Sequence, residues 1–289
     1  MVPASASVAC REMTAGDIPA VAALMAAEFC WSQDQWLDGL AVMRDRHSPE
    51  GYPRFGYVLE HQGEVVGAIL TIFAAIRHDG RDGVRCNVSS WYVAPHARGH
   101  GLRLTRRVLA HRDVTLLDLT PMPHTRRFIE GCGFKRYTQG QFACAPALRL
   151  RGPRMRVRPY RPDDAPRLAD SAEAALLADH ADYDCLSLVC ETPQALVPFV
   201  FALRRLRRTP LAYAQLVYCR DTQDFVRCAG PLGRHLLRRR AVLTVLDGDG
   251  PAPGLAGRFI RDRWPRYYLG PEAPRANDLA YTEAVLLKV

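Results

Sequence analysis

Apolar side chains in the first part of the chain change period several times, and each change predicts an element. Thr14-Ala15-Gly16-Asp17 closes a short strand over 10–13, and Pro19 then opens a helix to about 29, with Val21, Leu24 and Met25 at helical spacing. Trp36, Leu37, Leu40 and Met43 carry a second helix over about 33–45. The period then shortens. Residues 55–60 and 64–73 flank His61-Gln62-Gly63, a hairpin signature whose long apolar second arm suits a central strand. Another strand runs over 86–93 and places Asn87, Ser89 and Ser90 among apolar neighbours, where polar groups need partners. A helix over 102–111 follows, with Leu102, Val108 and Leu109 inward and Arg103, Arg106 and Arg107 outward, then a fifth strand over 114–119. Pro121-Met122-Pro123-His124 leads into a helix ending at Gly131.

The pattern then restarts. Arg158-Pro159-Tyr160-Arg161-Pro162-Asp163-Asp164-Ala165-Pro166 echoes Arg11-Glu12-Met13-Thr14-Ala15-Gly16-Asp17-Ile18-Pro19 at its Arg, Asp and Pro positions. Arg258-Phe259-Ile260 followed by Arg266-Tyr267-Tyr268 echoes Arg127-Phe128-Ile129 followed by Lys135-Arg136-Tyr137, in the same order, which reads as a tandem repeat. The expected division is a first domain over 1–148, a linker over 149–154 around Gly152 and Pro153, and a second domain over 155–289. The second half predicts strands over 186–190, 198–203, 212–218 and 242–246, and a helix after the N-cap Asp221. Asp247-Gly248-Asp249-Gly250 reads as a turn rather than a cation loop, since further spaced ligands are missing.

Composition narrows the class. With 48% apolar residues a sizeable core is available, yet no run approaches the ~18 apolar residues of a membrane span. Residues 1–9 lack the layout of a signal peptide, so a cytoplasmic protein is expected. Nine cysteines without a C-x-x-C pair suit reduced, mostly buried thiols, and no structural metal is expected. The net charge of +9 rests on arginine, Lys135 and Lys288 being the only lysines. Arg204-Arg205-Leu206-Arg207-Arg208 and Arg238-Arg239-Arg240 lack interleaved aromatics, which argues against a nucleic-acid groove.

The chemistry concentrates in Trp91-Tyr92-Val93-Ala94-Pro95-His96-Ala97-Arg98-Gly99-His100-Gly101-Leu102-Arg103-Leu104. A strand entering a Gly-rich turn and an amphipathic helix makes a phosphate cradle, because glycines let successive N–H groups converge and the helix adds its first-turn donors. The segment Arg98-Gly99-His100-Gly101-Leu102-Arg103, with its Trp91 to Pro95 lead-in, resembles the signature of the GCN5-related N-acetyltransferases, and Arg127 to Phe134 resembles that family's second landmark, a helix ending in Gly-Phe.

The resemblance implies an α/β (α+β) fold: a mixed, mostly antiparallel central sheet flanked by helices, here twice in tandem with a degenerate second half. It implies an acetyl-CoA or other acyl-CoA cofactor, its phosphates at Arg98, Gly99, His100, Gly101, Leu102 and Arg103. Its pantetheine would lie in a V-shaped opening between the fourth and fifth strands, bonded by backbone groups near Tyr92 and Val93. The first two helices would frame the acceptor, which makes Glu28, Trp31 and Trp36 candidate contacts. Two positions depart from the family pattern: Arg103 replaces a small residue, and Ile129 stands where many members carry a tyrosine acid. Candidate acids are therefore His124, Tyr92 and Tyr137, and candidate bases Asp118 and Glu60. No glycine and two acids occupy the second half's turn region, Tyr218-Cys219-Arg220-Asp221-Thr222-Gln223-Asp224, which should not hold a pyrophosphate. The expected activity is acyl transfer to an amine of a small molecule, with an acyl carrier protein as a candidate donor; the alternative is an acyl-CoA sensor without turnover.

Overall fold

The computed structural model describes residues 7–78, 81–150, 155–168, 171–192, 195–206 and 209–288. The first series of elements is β1 (Ala9–Glu12), a 3-10 turn (Ala15–Asp17), α1 (Ile18–Glu28), α2 (Gln33–Asp45), β2 (Gly56–His61), β3 (Glu64–His78), β4 (Arg81–Val93), a 3-10 turn (Pro95–His100), α3 (Leu102–Leu109), β5 (Thr115–Asp118), α4 (Arg126–Gly131) and β6 (Lys135–Cys144). A second, similar series follows: β7 (Arg156–Pro159), a 3-10 turn (Pro162–Arg167), α5 (Ser171–Asp182), β8 (Leu186–Glu191), β9 (Leu196–Arg205), β10 (Ala212–Cys219), α6 (Thr222–Leu237), β11 (Ala241–Gly248), β12 (Gly257–Leu269) and α7 (Glu283–Leu286). The linker expected at 149–154 falls largely outside the described residues, as do Arg207 and Arg208.

The repeat is physical as well as sequential. Arg11 on β1 donates from Nε to Glu60 at 2.8 Å and from both terminal nitrogens to Asp17 at 2.8 Å, and the Asp17 carboxylate also accepts the Thr14 N–H. Arg158 on β7 does the same in the second half: Nε to Glu191 at 2.8 Å, both terminal nitrogens to Asp164 at 2.6 Å, and the Arg161 N–H into that carboxylate. Each triad joins the first strand of its half to the turn that starts the first helix. The second echo holds only in part. Arg127–Ile129 is helical in α4 whereas Arg258–Ile260 is extended in β12, so those two triplets are not structural equivalents.

Arg11 beside Asp17 holds that carboxyl below the usual carboxylate range, and Arg158 does so for Asp164. A depressed native pKa gives stability that is complete above the unfolded value of ~3.9 and is lost as pH falls through the native one. Acid titration followed by circular dichroism should show stability dropping below about pH 4. Asp17→Asn should be less stable than the parent at pH 7 yet lose less between pH 4 and 2; equal slopes would remove Asp17 from the acid response.

The chain forms two compact units, and they divide it elsewhere than the repeat does. One holds Met1–Leu119 with Leu269–Glu272 and Leu286–Val289; the other holds Thr120–Tyr268 with Ala273–Val285. In the first unit the sheet runs β1-β2-β3-β4-β5, antiparallel except for the parallel β4–β5 pair. Its buried side chains include Val21 and Met25 of α1, Trp36, Leu40 and Met43 of α2, and Leu59, Leu70 and Phe73 of the sheet, with α1 packed on both α2 and β3. Ser32 fixes the start of α2 through a reciprocal cap, its Oγ accepting the Gln35 N–H while Gln35 Oε1 accepts the Ser32 N–H. Trp36 is 2% exposed, with the rings of Phe29 and Trp31 tilted against it, and is a core residue.

In the second unit the order is β12-β6-β11-β10-β9-β8-β7, antiparallel except for parallel β10–β11. β6, the last strand of the first series, thus lies between β11 and β12 of the second. Phe142 and Cys144 of β6 join Phe199, Phe201, Leu216, Phe225, Leu232 and Leu246 in one core. All nine cysteines carry free thiols, with Cys86, Cys144, Cys185, Cys190, Cys219 and Cys228 buried. No helix among the described residues is long and apolar enough to cross a membrane.

Candidate functional site

β4 and β5 pair only from Arg85↔Thr115 to Val88↔Asp118. β5 ends there, while β4 continues to Val93 along β3. Two residues beyond the shared ladder, β4 is bulged: Leu70 pairs with Ser89 and Ile69 with Trp91, which leaves Ser90 extra at φ 43°. A serine in the left-handed region is costly, and a bulge adds twist, so β4 turns away from β5 just where the ladder stops. The resemblance implies a V-shaped opening at this place, where the parallel ladder ends. Asn87, 1% exposed, donates from Nδ2 to Val88 O at 3.1 Å and across to Leu117 O at 3.4 Å, at the apex. Ser89 and Ser90 bond through their hydroxyls at 3.0 Å, and Asp118 terminates the short arm.

Past the opening, the Ala94 N–H donates to Val66 O at 2.8 Å and ends the strand; Pro95–His100 winds as a 3-10 turn, and Gly101 joins it to α3. The glycines act sterically rather than through special angles. Gly101 is right-handed helical, φ −54° and ψ −36°, and an added Cβ would meet Arg98 O at 3.3 Å and Trp91 Cζ2 at 3.4 Å. An added Cβ on Gly99 would meet nothing within 4 Å. The turn therefore packs down on Trp91 at Gly101 and stays open at Gly99, beside the N-terminus of a helix whose partial positive charge favours an anion.

The structure brings Tyr92, Val93, Asp118 and the whole of Arg98, Gly99, His100, Gly101, Leu102 and Arg103 to this end of the first unit. Two orientations differ from expectation. Leu102 is 54% exposed, because Leu104 and Val108 supply the inward face of α3. Arg103 does not lie over the turn: its guanidinium donates to the Val8 carbonyl, and Arg107 one helical turn later reaches Cys10 O at 3.3 Å. The two arginines thereby bond one carbonyl just ahead of β1 and one within it. Glu60, considered as a base, is bonded to Arg11. His124 belongs to the second unit, exposed in a turn closed by the Thr125 N–H and hydroxyl onto Met122 O, two residues before α4 begins. Ile129, in place of the usual tyrosine, is buried in α4. The bulge at Ser90 and the apex bond of Asn87 had no distinct sequence signal beyond the polar run in an apolar strand.

At the corresponding place in the second half, α6 starts directly after β10, and the Asp221 carboxylate accepts the Gln223 N–H at 3.0 Å. A side chain thus takes a first-turn donor that a phosphate would need. Arg220 is held by Glu173 through Nε at 2.7 Å, and the buried Tyr218 hydroxyl donates to the same carboxylate at 3.0 Å.

The sequence matches no known family profile and no curated protein. Solved structures do resemble the fold. A GCN5-related N-acetyltransferase from Anabaena variabilis is similar over 91% of this chain and 72% of its own, with TM-score 0.61 at 9% identity. A GCN5-related N-acetyltransferase from Kribbella flavida is similar over 91% and 71%, with TM-score 0.57 at 15% identity. Saccharomyces cerevisiae N-myristoyltransferase with bound myristoyl-CoA is similar over 96% and 89%, with TM-score 0.50 at 11% identity. With the bulged fourth strand, the splayed parallel pair and the glycine turn already in place, the chain has the fold of the GCN5-related N-acetyltransferases.

Proposed function

We propose that this chain transfers an acetyl or longer acyl group from coenzyme A to an amine of a small molecule, with one cofactor held by the first half. The observation that carries this reading is the bulge at Ser90, which parts β4 from β5 and delivers the chain into an open turn at a helix N-terminus. The N-myristoyltransferase that shares the fold holds an acyl-CoA, which supports the cofactor class. The turn residues fit that cofactor: Gly99 leaves room for a phosphate, Arg98 and His100 add positive or polar groups, and the α3 N-terminus adds its dipole. Bound there, coenzyme A would supply the activated thioester.

The protein's own groups take the remaining tasks. Backbone groups at Tyr92 and Val93 bond the pantetheine arm, an edge-strand form of recognition. Asp118 accepts the amine proton, directly or through water held by Ser89 and Ser90, so that a neutral amine attacks. Tyr92 returns a proton to the departing thiolate. Tyr92→Phe should lower turnover at unchanged cofactor affinity, and Asp118→Asn should do likewise; parental turnover in either variant removes that residue from its role.

The test is calorimetric titration with acetyl-CoA and free CoA, followed by thiol detection across a panel of amines. Micromolar binding near one site per chain with thiol release for some amine supports the enzyme. Binding without turnover of any amine supports a sensor, a reading favoured by the buried Ile129 at the usual acid position. No binding of either ligand overturns both.

A further inference from the structure

The second half repeats the splayed strand pair, and there the opening is filled. The β10–β11 ladder ends at Gln215↔Val245, and a bulge leaves Val217 extra, since Leu216 pairs with Phe201 and Tyr218 with Val200. In both halves the bulge lies two residues past the last parallel pair, at Ser90 after Val88 and at Val217 after Gln215. Strands that part in this way leave backbone donors and acceptors that must be satisfied.

A segment far along the chain satisfies them. The Leu279 N–H donates to Val217 O at 2.8 Å and the Cys219 N–H to Asn277 O at 3.3 Å, with an antiparallel bridge between Tyr218 and Asp278. That is β-strand addition to the β10 lip. The β11 lip is bonded by one side chain: Asn277 Oδ1 accepts the Asp247 N–H at 2.7 Å, while its Nδ2 donates to Asp247 O at 3.1 Å and to Thr222 Oγ1 at 3.1 Å. Asn277 is fully buried at φ 62°, a left-handed conformation asparagine tolerates, and Leu279 is fully buried beside it. The Thr282 hydroxyl donates to Leu279 O at 2.6 Å and holds the far end.

We propose that the β10–β11 opening is a second slot for an extended, amide-bearing ligand, and that its resident ligand is this chain's own segment Asn277–Leu279. The segment offers an ordered run of amide donors and acceptors, the hydrogen-bonding character of a pantetheine arm. The second half is thus closed to a cofactor by occupation as well as by its side-chain-capped helix. The part concerning cofactor number rests on the proposed function; the occupancy itself does not.

The experiment is hydrogen exchange resolved to single amides, on the parent and on Asn277→Gly. Glycine keeps the left-handed backbone accessible and removes the Asn277 side chain with its carboxamide. Loss of the clamp should speed exchange at Asp247, Cys219 and Leu279 by about tenfold or more, while amides of β2 and β3 keep their rates. Parent-like rates at all three would overturn the proposal. Should the variant fail to fold, the parent decides: the three amides should exchange through one common opening, and unrelated opening rates would overturn it. Titration of the parent with acetyl-CoA adds a second check. One site per chain agrees with an occupied slot and two sites refute it; no binding at all counts against the proposed function alone, because the exchange result still decides the occupancy.

Discussion

Arg266→Met should cost the second unit about 3–5 kcal/mol, the cost of leaving a buried charge without its partner. Arg266, on β12, is 3% exposed, and its Nε bonds Asp247 Oδ2 at 2.8 Å while a terminal nitrogen bonds Oδ1 at 3.1 Å. The Asp247 side chain is fully buried, and its Oδ1 also accepts from the Gln141 amide at 3.1 Å. These three residues sit on β12, β11 and β6, so the ion pair ties together the strand exchanged from the first series and the two that flank it. One amide cannot replace a guanidinium for a carboxylate removed from water. Against a total of about 5–15 kcal/mol, the loss should lower the urea midpoint by about 1 M or more. Pairing the change with Asp247→Leu should recover most of it, since an apolar pair of similar volume replaces a buried ion pair at little cost. A single variant with the parent midpoint would show that water reaches this carboxylate.

Gly99→Leu should leave the fold untouched and weaken coenzyme A binding by tenfold or more, about 1.4 kcal/mol. The two effects separate because an added Cβ at Gly99 meets no protein atom within 4 Å, and the residue is not in the left-handed region. Leucine also favours helical backbone over glycine, so the melting temperature should hold or rise slightly. Only a ligand in the turn would collide with the new side chain. Arg98→Glu should act in the same direction and further, because it sets a like charge beside the phosphates. Unchanged affinity in both variants, with a parental melting temperature, would mean that the anion binds elsewhere.

Much of this architecture was legible because it is local. The helix expected over 33–45 is Gln33–Asp45, since Trp36, Leu40 and Met43 fix its buried face and Ser32 its start. The Asp221 cap and the paired Arg-to-Asp echoes were visible for the same reason: each is completed within a few residues or in a repeated register. What stayed hidden depends on distant partners. Leu102 looks inward by spacing, yet Leu104 takes that face. β12 shows no alternation, its residues from Gly257 to Trp264 being mostly exposed, so only pairing with β6 defines it. The positive φ of Ser90 is imposed by a register slip against β3, which no serine announces. Within the candidate site, the glycine turn was readable as a motif. The orientation of Arg103 was not, because its acceptor is the Val8 carbonyl just ahead of β1, far away in sequence.

The exchange of β6 also sets a timetable for synthesis. Both of its strand neighbours, β11 and β12, lie about a hundred residues further along the chain, so at ~5–20 residues per second β6 leaves the ribosome roughly 5–20 s before either exists. For that interval a strand carrying Phe142 and Cys144 has no sheet to join, and it is then most exposed to aggregation or capture by a chaperone. A stop codon after the first repeat would make that exposure permanent. Neither half could then be shed by gene truncation without stranding part of the other.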